Sequence, residues 1–195
     1  MTSSKSGPLR RASEFFYAKS TLVTALIATA AFAGYTVLVL SGQGKAFEVA
    51  NSSIKSLGTS LGFGQAEILA FFAERSAGQI SAYITFNQVW DSLYGVIYGV
   101  MYVVWVSVLL KPYSKKVGIL NLLPFGQVLF DWLENIGLAT VSSQYLADGT
   151  ISSTTAQLAS TASSIKWAFA LLVYGVILVG IVARIAGALK GRSKS

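Results

Sequence analysis

The chain has no cysteine and no histidine among its 195 residues, and only 12% of those residues are charged. Without cysteine there is no disulfide, no thiolate nucleophile, no iron–sulfur cluster and no structural zinc of the thiolate kind. Without histidine the commonest general base, the commonest haem or copper ligand and any imidazole proton relay are gone as well. The scarcity of charge says most. Soluble domains carry about 25% Asp, Glu, Lys and Arg, whereas here 53% of residues are hydrophobic and the mean hydropathy is +0.60. That balance points to lipid as the solvent. A glycine-rich phosphate loop, a metal-ligand helix motif and a serine nucleophile elbow are also missing. No catalytic residue, metal or cofactor is therefore assigned.

The net charge is +7, and in a nucleic-acid binder such an excess neutralises phosphates. Here the basic residues fall in short clusters at the edges of apolar runs, where a membrane protein carries its topology signal. No nucleic-acid partner is expected.

Residues 1–20 form a basic segment with Lys5, Arg10, Arg11 and Lys19, and an amphipathic piece around Phe15, Phe16 and Tyr17 suits a membrane surface. Residues 21–40 are uncharged and match the ~20 residues needed to cross ~30 Å of hydrocarbon as a helix. They read as an uncleaved first span, because the apolar core of a signal peptide is usually only ~7–15 residues. Further spans follow over about 90–110, 117–141 and 165–185, giving an all-α, integral membrane four-helix bundle over 21–187 with a basic tail at 188–195. Pro124 is expected to bend the third span, because the carbonyl one turn earlier loses its donor. Residues 142–163, rich in Ser, Thr, Gly and Asp, read as a loop.

Between the first two spans, Gly42, Gly44, Gly58, Gly62 and Gly64 and scattered charges argue against a crossing. Ile68, Leu69 and Phe72, and later Ile80, Tyr83 and Ile84, recur at helical spacing. They predict two short amphipathic helices, broken near Gly78, that lie on the outer face or cap the bundle. Asn51-Ser52-Ser53 is a glycosylation sequon, relevant only in a secretory compartment.

Orientation follows from the basic residues. Lys5, Arg10, Arg11, Lys19, Lys111, Lys115, Lys116, Arg184, Lys190, Arg192 and Lys194 fall on one side of four crossings, against Lys45, Lys55, Arg75 and Lys166 on the other. The excess marks the cytoplasmic face, which puts both termini inside.

Four polar residues stand out in the third span. Gln127, Asp131, Glu134 and Asn135 are spaced by three and four and share one helix face. A carboxylate near mid-membrane costs ~2.5–3.5 kcal/mol on insertion scales, so such a pair has to face protein or water and find a partner. Candidate partners are Lys166, opening the fourth span, and Asp91, opening the second, with Tyr94, Tyr98 and Tyr102 continuing down one face. The cluster can be a site where two carboxylates share a proton or bind a cation, or where Lys166 and Asn135 grip an anionic headgroup. Equally, interhelical hydrogen bonds of ~0.6–2 kcal/mol each can serve packing alone. Gly95 and Gly99 form a small-xxx-small face of the kind that lets helices approach closely.

From about Gly64 to Trp167 the chain resembles an uncharacterised family of small bacterial four-helix integral membrane proteins. The resemblance rests on Gly78 and Tyr83, on Asp91 and Tyr98, on Leu123-Pro124 followed by Asp131, Glu134 and Asn135, and on Ser163 with Lys166-Trp167. Where the family often has Gly-Arg, this chain has Gly78-Gln79. The resemblance implies the fold and a shared acid–Lys face, but no activity. It also fits a bacterial plasma membrane, with an organelle membrane as the alternative. The expectation is a non-enzymatic accessory or scaffold subunit, or a lipid- or ion-binding bundle. Membrane lipids, other membrane proteins or a second copy are the expected partners. A transporter or channel component, and then a membrane enzyme acting on a lipid, are the alternatives.

Overall fold

The computed structural model describes residues 7–54 and 56–192, with side chains described as far as Lys190. Lys5, Lys55 and Lys194 of the topology count, and the side chain of Arg192, lie outside the described residues. The fold is all-helical, with no strand among the described residues.

Helix α1 (Pro8–Lys19) opens on a proline, whose missing N–H costs nothing in a first turn. Helix α2 (Leu22–Phe47) starts at a capping box in which the Thr21 and Thr24 hydroxyls each accept the other residue's backbone N–H, at 3.2 and 2.8 Å. It passes through a π-turn at Thr36–Leu40 and ends in a 3₁₀ turn. An irregular stretch with a 3₁₀ turn at Leu57–Thr59 leads to α3 (Gln65–Ala73). Helix α4 (Ala77–Val117) is capped by Ser76 and carries a π-turn at Phe86–Asp91. Helices α5 (Leu123–Asp148) and α6 (Ser153–Arg192) form a long hairpin.

Helices α2, α4 and α6 are each long and apolar enough to cross a membrane, so the chain is a membrane protein. Helix α5 has 26 residues, but Gln127, Asp131, Glu134 and Asn135 dilute its apolar character, and it falls outside that set.

Several sequence expectations change. The break between the two short helices lies at Glu74–Ser76, not at Gly78, and the second helix runs on into α4 as one rod. Both short segments turn apolar side chains into the protein. Ile68, Phe71, Phe72, Ile80 and Tyr83 join Phe47, Leu57, Phe63, Leu138 and Val141 in a packed apolar core at what we term the cap end. Burying such side chains stabilises by ~1.5–3 kcal/mol each. Pro124 does not bend a helix, because it sits in the first turn of α5, after a turn at Gly118 with φ of +57°.

The expected loop at 142–163 is helical except around Gly149–Ser152. Gly149 caps α5 with φ of +74°, the left-handed geometry that favours glycine. Asp148 accepts hydrogen bonds from the Thr150 N–H and hydroxyl, which hold its carboxyl below the usual range. Three of the hydroxyls that suggested a loop are instead absorbed within the helices. Ser142, Ser143 and Thr161 donate to carbonyls one turn earlier, at 2.7, 2.9 and 2.8 Å. Small residues complete the pairing, since a Cβ on Gly137 would meet Ala159 at 2.6 Å.

At the opposite, basic end, α1 folds back under the bundle. Asn121 Nδ2 donates to the Ser13 carbonyl at 3.1 Å and to Ser107 Oγ at 2.9 Å, while the Ser13 hydroxyl donates to Asn121 Oδ1 at 2.6 Å. All three residues are buried.

Candidate functional site

The 3.6-residue period of α5 divides its surface. Phe125, Leu129, Trp132, Leu133 and Ile136 are exposed on one side, while Gln127, Asp131, Glu134 and Asn135 are buried on the other. The inward face approaches α4 closely because of glycine: a Cβ on Gly95 would lie 2.8 Å from Asp131 Oδ2, and one on Gly99 would collide with Val128. The Trp132 indole N–H donates to the Ser92 carbonyl at 2.9 Å and fixes the register.

Lys166 enters from α6 and is only 7% exposed. Its ammonium lies 3.3 Å from Asp131 Oδ1, contacts Glu134 Oε2, and donates to the Gly58 carbonyl at 3.0 Å. One cation therefore joins α5, α6 and the Leu57–Thr59 turn. Two carboxylates and one backbone carbonyl surround it, and these compensate for taking an ammonium out of water. Glu134 is fully buried, and its Oε1 lies beside Gly58, where a Cβ would make ordinary contact with it at 3.8 Å.

Beside this ion cluster lies a cavity of about 670 Å³. Asp91, Tyr94, Tyr98 and Tyr102 of α4, Gln127 and Asp131 of α5, and Lys166, Trp167 and Tyr174 of α6 line it, together with Thr36 of α2. The tyrosines make a continuous ladder, with ring centroids 5.4 Å apart from Tyr94 to Tyr98, 6.0 Å from Tyr98 to Tyr102 and 5.7 Å from Tyr102 to Tyr174. Phe32 stacks on Tyr94 at 5.5 Å and connects the ladder to α2. Arg75 lines the cavity at the cap end, its guanidinium 3.4 Å from the Phe71 ring centroid and hydrogen-bonded to the Phe47 and Phe71 carbonyls. Four buried polar atoms of the lining residues have no hydrogen-bond partner: Tyr98 Oη, Gln127 Oε1, Asp131 Oδ2 and Trp167 Nε1.

The structure thus brings Asp131, Glu134 and Lys166 into one ion cluster, and gathers Asp91, Tyr94, Tyr98, Gln127, Asp131 and Lys166 around one cavity. Glu134 and Asn135 are not on the cavity wall. Asp91 shares the cavity but makes no ion pair among the described residues. Sequence reasoning missed the Gly58 carbonyl, Tyr174, Thr36 and the Ser13–Asn121–Ser107 knot. For Asn121 a signal existed, because an uncharged carboxamide at the edge of an apolar span requires buried partners. The Gly58 contact had none.

Searches with this chain found no matching family model, no matching curated protein and no matching solved structure.

Proposed function

We propose that this chain is a four-span, non-enzymatic membrane bundle with both termini cytoplasmic, and that it binds a lipid or an ion in the cavity beside Asp131 and Lys166. The observation that carries this is the cavity itself: about 670 Å³, in the range of small-molecule sites, with apolar and aromatic walls and a few convergent polar groups. The exposed apolar stripe of α5 supports a fourth crossing, since it gives that helix a lipid face opposite its polar one. Among the described residues, Arg10, Arg11, Lys19, Lys111, Lys115, Lys116, Arg184 and Lys190 gather toward the basic end, which favours that end as cytoplasmic.

A transporter component is the second reading, because the cavity reaches Asp131. Against transport by this conformation, Tyr17, Val106 and Leu110 pack with Val117, Leu120, Val176 and Ile177 toward the basic end, and none of them lines the cavity.

Native mass spectrometry of the chain extracted from its membrane in mild detergent tests the reading. The wild type should retain a lipid or small molecule, and Thr36→Trp, which fills the cavity, should lose it. Equal retention would overturn the assignment to this cavity. The absence of native cysteine makes the topology testable too. Thr154→Cys should react with an impermeant maleimide in intact cells, and Lys115→Cys only after permeabilisation; the reverse pattern refutes the orientation.

A further inference from the structure

We infer that the cavity is selective for a protonated primary amine, its ammonium seated between Asp91, Asp131, Gln127 and Tyr98 and its apolar body along the tyrosine ladder. The inference rests on the ligand-binding reading above and names the ligand's chemistry.

Charge is the first ground. Three carboxylates, Asp91, Asp131 and Glu134, stand against one ammonium at the centre of the bundle. Lys166 is poorly placed to serve an incoming anion, because its ammonium already pairs with Asp131 and Glu134 and donates to the Gly58 carbonyl. An anionic headgroup gripped by Lys166 and Asn135, one of the sequence expectations, would have to break that cluster, and Asn135 does not line the cavity. At the cap end the Arg75 guanidinium is turned onto the Phe71 ring and two backbone carbonyls. Of the two carboxylates that line the cavity beside Lys166, Asp131 is paired with it and Asp91 has no ion pair among the described residues, so Asp91 is the group that calls for an incoming cation.

Unmet hydrogen bonding is the second ground, independent of charge. Asp131, Gln127 and Tyr98 are 4%, 7% and 5% exposed, and each has an oxygen without a partner. Buried acceptors in that condition cost free energy until a donor arrives. An ammonium bearing N–H groups carries the donors these oxygens lack. A quaternary ammonium satisfies none, although it would gain from the rings.

The third ground is the wall. Tyr94, Tyr98, Tyr102, Tyr174 and Trp167 offer π faces that attract a cation and accept an apolar chain. Tyr174 is 43% exposed, so the ladder runs from the buried carboxylates to the surface of α6, the path an amphiphile would follow.

The test is a titration of the full-length protein in neutral detergent at pH 7 with hexylamine, hexyltrimethylammonium, hexanol and hexanoate, read as a thermal shift. Hexylamine should saturate and stabilise, and the trimethylated analogue should bind more weakly. Asp91→Asn, which touches no ion pair, should weaken hexylamine about tenfold, the worth of one charge-assisted hydrogen bond. Tyr98→Phe, which keeps the ring, should weaken it less. Competition in nanodiscs separates the sources. Displacement of hexylamine by an ethanolamine-headed lipid, but not by a choline-headed one, assigns the site to a lipid headgroup; no displacement assigns it to a free amine. Hexanoate or hexanol binding as well as hexylamine, or unchanged binding in Asp91→Asn, overturns the inference. If none of the series binds while Thr36→Trp still loses a native ligand, amine selectivity falls and the ligand-binding reading stands.

Discussion

Removing Lys166 alone should be among the most damaging single changes in this protein, and removing its carboxylate partners with it should restore much of the loss. Lys166→Ala strands Asp131 and Glu134, which are 4% and 0% exposed, and leaves the Gly58 carbonyl without its donor. Breaking a buried pair from one side costs about 3–5 kcal/mol, because an uncompensated charge remains in a low-dielectric interior. For a chain of this length each kcal/mol shifts Tm by roughly 2–4 °C, so the expected drop is about 6–20 °C. Replacing the whole cluster by neutral groups of similar shape removes both the attraction and the desolvation cost, a change that is often close to neutral. The triple variant Lys166→Met, Asp131→Asn, Glu134→Gln should therefore unfold within a few degrees of the wild type. Either carboxylate changed to Ala together with Lys166→Ala should fall between the two. The assay is thermal unfolding in detergent followed by intrinsic fluorescence, with all variants purified identically. Equal losses in Lys166→Ala and the triple variant would refute the ion-pair reasoning, because the damage would then come from the Gly58 carbonyl losing its donor, which both variants share.

Two further outcomes follow from local geometry. Asn121→Ala removes the carboxamide shared by Ser13 and Ser107, leaves buried polar groups unpaired, and should cost about 1–3 kcal/mol; it should also release α1, read as faster tryptic cleavage at Arg10, Arg11 or Lys19. Pro124→Ala should change stability by less than about 1 kcal/mol, because a first-turn proline obstructs no intrahelical bond; a loss of about 3 kcal/mol or more on thermal unfolding would show that the ring packs in a way its position does not require.

The lipid-compatible composition, the three long apolar helices and the single inward face of Gln127, Asp131, Glu134 and Asn135 were legible in the sequence. They depend on local quantities: run length, helical period and the cost of a charge in hydrocarbon. The same cost pointed to Lys166 as a partner, since a lone carboxylate in that face demanded one. What tertiary structure decided was everything set by contacts between distant segments. The Gly58 carbonyl meets Lys166 across 108 positions of chain, and no local pattern marks a backbone oxygen as a third acceptor. The Ser/Thr-rich 142–163 tract has ambiguous propensity, and in its helical form Ala159 packs closely on Gly137 across the α5–α6 hairpin. Pro124 reads as a kink or as a helix start according to where the chain turns, and the positive φ of Gly118 puts that turn just before it. The cavity is likewise a tertiary object, because its walls come from four helices and the irregular stretch after α2, whose spacing only their packing fixes.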